Sequence, residues 1–343
     1  MVVPARRSAA GRHGSRTRPV NVRTIAAKAI PLAITVWAAV TLNFALPRLA
    51  PGDPLDYILG DDVATLSEAQ RTAANRELGL DAPLPVQYLG YLRGLATADL
   101  GHSIRYGRPV SALLAERMGW TLLLALPAAL ISLVAGTALG AIAAWHRGRP
   151  NETGLLVGIL LLDAMPAFWV GMLLVAVFSL ELGWLPTFGA LPPGGSEGLG
   201  VIGEVGKRLI MPMTAIVLAT IGQPFMVARG AITSSLGEDY IQMAQAKGLS
   251  ARAVLFRHAL RSSMLPMFTS FTLTLGALAG GVVVVETVFA YPGVGRLVFD
   301  AIRARDYPLL QGAFLVFAGS VIFANWAADL LYERFDPRVR EEQ

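Results

Sequence analysis

Six long apolar runs, at about 26–46, 119–144, 153–181, 209–230, 266–286 and 309–332, constrain this chain more than any other feature. Each is close to the ~20 residues that a helix needs to cross the hydrocarbon core of a bilayer. In lipid a backbone must satisfy its own hydrogen bonds, so isolated runs of this kind fold as helices. The charge content agrees: 15% of the residues are charged, against about 25% in soluble proteins. The expected fold class is an all-α membrane protein with six transmembrane helices. Pro166, inside the long third run, predicts a kink or tilt there.

Basic residues set the orientation. Arg6, Arg7, Arg12, Arg16, Arg18, Arg23 and Lys28 lead into or open the first run with no acid among them. Excess Lys and Arg marks the cytoplasmic side, so residues 1–25 form a basic cytoplasmic arm, read as a topology signal, with binding to anionic headgroups as the alternative. Six spans return the C-terminal tail, 333–343, to the same side, together with the loop "WHRGRPNE". The protein is expected in the inner or plasma membrane with both termini cytoplasmic. Residues 47–118 then form an extracytoplasmic insertion and 119–332 a permeation core. Within the insertion Ser67 and Gln70 make a capping box, with Gly79 as the stop of a helix over 68–78. A second helix is expected near 86–96. This cap either packs on the spans or meets a partner.

Between the fourth and fifth runs lies a charged segment, "DYIQMAQAKGLSARAVLFRHALRSSMLP" at 239–266. Glu238 and Asp239 at its start and Lys247 at its end complement a helix dipole. Gly248 allows the left-handed stop, so a helix is expected over 239–247. Ser250 can cap a second one, in which Phe256, Leu260 and Met264 recur every four residues beside Arg257 and Arg261. Two helical turns are unstable alone in water. The first helix therefore rests on the protein's own inner surface, on the lipid interface, or in the groove of a cytosolic partner.

This segment resembles the cytoplasmic signature loop of binding-protein-dependent ABC importer permeases, in its dipeptide/oligopeptide form "DY…A.AKGL…RHALR…LP". Of the broader superfamily pattern only Ala244, Gly248 and Leu260 are kept. "APGDP", "ELGLDAPLPVQYLGYL", "PAFWVGMLLVAVFSLELGWLPTFG", "VVETVFAYPGVGRLVFDAIRARDYPLLQG" and "FDPRVR" resemble the same branch, from about residue 25 to 340. The resemblance implies a type I importer permease fold with a coupling loop at 231–265. It implies half of a pore for peptides or similar solutes, paired with a second permease, two cytosolic ATPases and an extracytoplasmic binding protein. Asp239, Tyr240, Ala244, Lys247, Gly248 and Leu249 would then couple to the ATPase. ATP and Mg would sit on the ATPase subunits, with no cofactor or metal in this chain and no nucleic acid as partner. Pro292, Gly293 and Gly295 form a turn before a short helix at 296–304, in a region that lies at the pore mouth in that family. There Glu286 and Asp300 are binding-protein contact candidates, with ordinary solvated charge as the alternative.

Other function classes have less support. The nearest approach to a phosphate-binding loop, "GEVGKRLI", has Val201 in place of the first glycine and Arg208 in place of Ser/Thr. This chain is therefore not expected to be an enzyme. A membrane hydrolase lacks HExxH, and His13, His102, His146 and His258 have no metal-ligand spacing. An ion-gradient-driven transporter or channel would need charge near the midplane and interrupted helices. Only Asp163, in "LLLDAMPAFW", points that way. Three roles compete for it: a protonated side chain bonded to a backbone carbonyl freed by Pro166, a contact across a permease–permease interface, or a pathway site for a cationic group. The cargo is not legible in the sequence.

Overall fold

The computed structural model describes residues 22–49, 55, 67–77, 80–192 and 200–335. They form α1 (Val22–Leu49), α2 (Glu68–Glu77), α3 (Leu84–Ala96), α4 (Val110–Trp145), α5 (Pro150–Asp163) and α6 (Ala167–Leu174). A π-helical stretch, Val175–Glu181, prolongs α6. Next come α7 (Gly200–Thr220), α8 (Gly222–Ser235) and α9 (Asp239–Ala246). The helical segment 251–262, here α10, contains a π-helical stretch, Val254–Ala259, and leads to α11 (Met264–Val288), α12 (Val294–Arg303) and α13 (Tyr307–Phe335). The only β pairing among the described residues is one bridge between His102 and Pro109.

Among the described residues, α4 and the part of α13 over Tyr307–Ala327 are long and apolar enough to cross a membrane singly. Two bent pairs pass as broken spans: α5 with α6, at 94°, and α7 with α8, at 44°. The third apolar run is thus sharply broken rather than kinked or tilted. Proline disfavours helical backbone in the residue before it, and Pro166 itself is extended (φ −59°, ψ 135°) and caps α6.

The hub is α4, which packs on α5, α7, α8, α11, α12 and α13. Its closest neighbour is α8, and small residues explain why. A Cβ on Gly136 would lie 2.9 Å from the Ile221 carbonyl oxygen, and one on Gly140 would lie 2.5 Å from that of Phe225. The pair forms a GxxxG step, "GTALG", that lets two helix backbones approach. Ala128, Ala129, Ala141 and Ala144 prolong the small, buried face. By contrast α1 is peripheral. It packs on α13 and is tied to α3, where Thr41 bonds Tyr88 at 2.8 Å and Asn43 donates to the Tyr91 hydroxyl at 2.9 Å. Burial raises the pKa of the Tyr91 phenol.

The capping box forms as expected: the Ser67 amide donates to Gln70 Oε1 at 2.9 Å, and α2 follows. Gly79, its expected stop, lies outside the described residues. The second helix starts at Leu84, two residues early, because Pro83 and Pro85 suit a first turn.

Candidate functional site

Three places concentrate the polar chemistry. At one end of the bundle α9 lies across α4, α8, α10 and α11. Glu238 precedes it in extended backbone, Lys247 closes it, and Gly248 turns at φ +75°. Ser250 caps the next segment by accepting from the Ala253 amide at 3.3 Å. The helix is seated by Ile241 (0% exposed) and Ala244 (6%), which enter a cluster with Ala141, Ile232, Val254 and Met267. Beside that footing Tyr240 (44% exposed), Met243 (61%) and, past the stop, Leu249 (42%) are exposed. Asp239, Lys247 and Gly248 are exposed beside them. In α10 the π-helical stretch displaces the four-residue stripe: Val254, Leu255 and Ala259 are buried, while Phe256 and Met264 are exposed. Nearby, Arg229 of α8 forms an ion pair with the buried Glu152 of α5 (Nε to Oε1, 2.8 Å), and Glu152 also accepts from the Gly148 amide at 2.7 Å. This pair ties the turn between α4 and α5 to the helix that leads into α9.

At the opposite end Glu286 is fully buried. Its carboxylate accepts from the Thr121 hydroxyl at 2.7 Å and from the Arg296 amide at 3.1 Å. Any side chain at Gly293 or Gly295 would press on it. The Thr121 oxygen in turn accepts from the Val294 amide at 2.8 Å, and the Tyr291 hydroxyl donates to the Trp120 carbonyl at 3.1 Å. Burial first, and then the neighbouring carboxylate, raise the pKa of the Tyr291 phenol. The turn after α11 is thereby pinned to α4. A second buried carboxylate, Asp306, opens α13: it accepts from the Ser103 hydroxyl, from the Arg105 amide at 3.1 Å and from the Leu309 amide at 3.2 Å. Asp300 stays half-exposed, 3.9 Å from Arg296, on a pocket of about 310 Å³ with Tyr106 and Arg117.

Between the two ends the two helix breaks meet. Asp163 ends α5, and Gly222 begins α8 at the other break. A Cβ on Gly222 would overlap the Asp163 carboxylate. Asp163 is exposed and has neither hydrogen bond nor ion pair among the described residues. It makes no bond to a carbonyl freed by Pro166.

Residues 136–341 match the family described as "Binding-protein-dependent transport system inner membrane component". The chain belongs to that family. A di/tripeptide transport system permease protein of Pseudomonas aeruginosa is 38% identical to this permease, over 92% of this chain and 98% of the relative. A glutathione transport system permease protein of Salmonella choleraesuis is 36% identical, over 89% and 95%. Among solved structures, the inward-facing methionine ABC transporter MetNI aligns with a TM-score of 0.53 at 13% identity, covering 65% of this chain and 96% of that one. That likeness speaks for the fold alone, a type I importer permease.

The permease thus keeps five of the six expected coupling residues on one exposed surface. Ala244 is the exception: it faces the bundle, because a short helix needs an apolar footing and a small residue permits close seating. Met243, next to it in sequence, is exposed instead. Glu286 is corrected too. It is an internal anchor with no surface to offer a binding protein, and the glycines around it in "YPGVG" were the available signal. The Glu152–Arg229 pair and Asp306 carried no signal, because their partners are distant in sequence. Among the described residues no cluster of metal-ligating side chains occurs. One stretch with hydrolase-like GxSxG spacing, "GGSEG" at 194–198, lies outside them.

Proposed function

We propose that this permease forms half of a peptide-conducting pore and is driven through α9 by a cytosolic ATPase. The observation that carries the reading is the two-sidedness of α9. Ile241 and Ala244 fasten it to the bundle, while Tyr240, Met243 and Leu249 project apolar surface from a polar segment. An exposed apolar face on a short, firmly seated helix suits a groove on a partner. Because its footing includes α8, a push on α9 reaches one of the helices that carry a break. The proposal places α9 and both termini in the cytoplasm, a second permease alongside, a binding protein at the α12 end, and ATP with Mg on two ATPase subunits. Peptide cargo is supported by relatives named as peptide permeases. A gradient-driven carrier remains the second reading, since two broken helices and one carboxylate meet between the ends.

Gly248→Val tests the coupling. A β-branched residue is strained at φ +75°, so the exposed face of α9 is displaced while the buried bundle is untouched. The reconstituted complex should assemble and keep its basal ATPase rate, but lose most of the stimulation by loaded binding protein. Wild-type stimulation would remove α9 from the drive. Uptake that persists without ATP, on a proton gradient alone, would favour the gradient-driven carrier.

A further inference from the structure

The Asp163 carboxylate stands where two discontinuous helices touch. It lies about 20 Å along α5 from its start at Pro150, at 1.5 Å per residue. A charged side chain facing lipid at such depth costs a few kcal/mol or more. Broken helix at membrane depth is tolerated where it is buried in protein or lines a watered cavity. Here the two breaks adjoin, at 94° and 44°, and the carboxylate between them is exposed. Gly222, the first residue of α8, lies directly against the carboxylate. The missing Cβ is what lets the carboxylate come so close. Yet no described cation pairs with it: Arg229, further along α8, is already committed to Glu152. The site is therefore an exposed carboxylate where two helix breaks meet, with no counter-charge among the described residues.

We infer that Asp163 is a cation-binding site in the translocation pathway, and that it receives a primary ammonium group of the cargo, an α-amino terminus or a lysine side chain. The inference rests on the reading of this chain as part of a peptide pore. A contact across the permease–permease interface is the competing outcome.

The natural chain contains no cysteine, which permits a direct test. Ala164→Cys places one thiol beside the exposed carboxylate. In the complete complex, its reaction rates are measured with a cationic trimethylammonium-ethyl and an anionic sulfonato-ethyl methanethiosulfonate. Both reagents should react, the cation faster. Adding Asp163→Asn should lower the cation-to-anion rate ratio about tenfold, the factor that Coulomb's law gives for one charge acting oppositely on two ions about 6 Å away in water. No reaction with either reagent, or an unchanged ratio, overturns the inference.

A second arm measures ATP-driven uptake of trialanine in vesicles containing the complex and its binding protein. Asp163→Asn should slow uptake several-fold with ATPase stimulation intact, and Asp163→Glu should retain most of it. Wild-type uptake by the Asn variant overturns the site, and loss of assembly assigns Asp163 to the interface instead. If the wild-type complex takes up no trialanine, the peptide reading is at fault, and the reagent ratio alone decides the cation site.

Discussion

Replacing Gly140 by alanine isolates the energy of the close α4–α8 contact. The added methyl would sit 2.5 Å from the Phe225 carbonyl oxygen, 2.9 Å from the Ala228 Cβ and 3.0 Å from the Arg229 amide nitrogen. Two of these atoms are backbone, so no rotamer change relieves the overlap and the helices must part by nearly 1 Å, given ordinary contact at about 3.5 Å. Overpacking of this kind costs about 1–3 kcal/mol. Alanine also stabilises a helix by about 1 kcal/mol relative to glycine, which would mask part of the effect. Gly158→Ala in α5 provides the reference, because nothing lies within 4 Å of a Cβ there. The propensity gain is common to both variants, so their difference reports the overlap alone, about 1–3 kcal/mol in favour of the Gly158 variant. The assay is unfolding of the purified permease in mixed micelles with increasing SDS, followed by circular dichroism. Equal midpoints for the two variants would refute the claim that these glycines set the distance between α4 and α8.

Three further outcomes are expected. Glu286→Ala strands the Thr121 hydroxyl and the Arg296 amide, each at about 1–3 kcal/mol; it should lower the thermal midpoint clearly more than Glu286→Gln, which keeps one acceptor. Asp306→Ala removes the cap of α13 and the acceptor for the 103–105 turn; with a cap worth about 0.5–2 kcal/mol, limited proteolysis should begin near residues 101–109, and an unchanged digestion pattern would count against the anchor. In a chain naturally free of cysteine, a thiol at residue 75 should react with an impermeant reagent from outside intact cells, and one at 250 only after permeabilisation; the reverse pattern would invert the proposed orientation.

Local chemistry was readable from the residues, and distant pairing was not. The Ser67–Gln70 box, the Gly248 stop and the Ser250 cap each depend on atoms within four residues, and each stands where its spacing placed it. Pro166 announced a disturbance, but its 94° size depends on the bundle that accepts α6. Hydrophobic period told which segments are helical; it could not tell which face of a charged helix is outermost. Ala244 faces inward and Met243 outward. Glu286 looked like surface charge because its partners Thr121 and Arg296 come from two other helices, α4 and α12, whose approach is not visible in one dimension. The GxxxG step on α4 was in plain view, but an apolar run signals burial in lipid and in protein alike.

The docking of α1 has a consequence for biosynthesis. Asn43 donates to the Gln311 carbonyl at 3.2 Å, and its own carbonyl accepts from the Gln311 side chain at 2.9 Å, across 268 residues of chain. α1 is thus completed by a helix made 268 residues later. At about 5–20 residues per second, its partner follows on the order of tens of seconds later. Throughout that interval Asn43 can already donate to the Tyr91 hydroxyl, only 48 residues away, while its exchange with Gln311 waits for α13. The tie between α1 and α13 is therefore made only after every intervening helix has been synthesised.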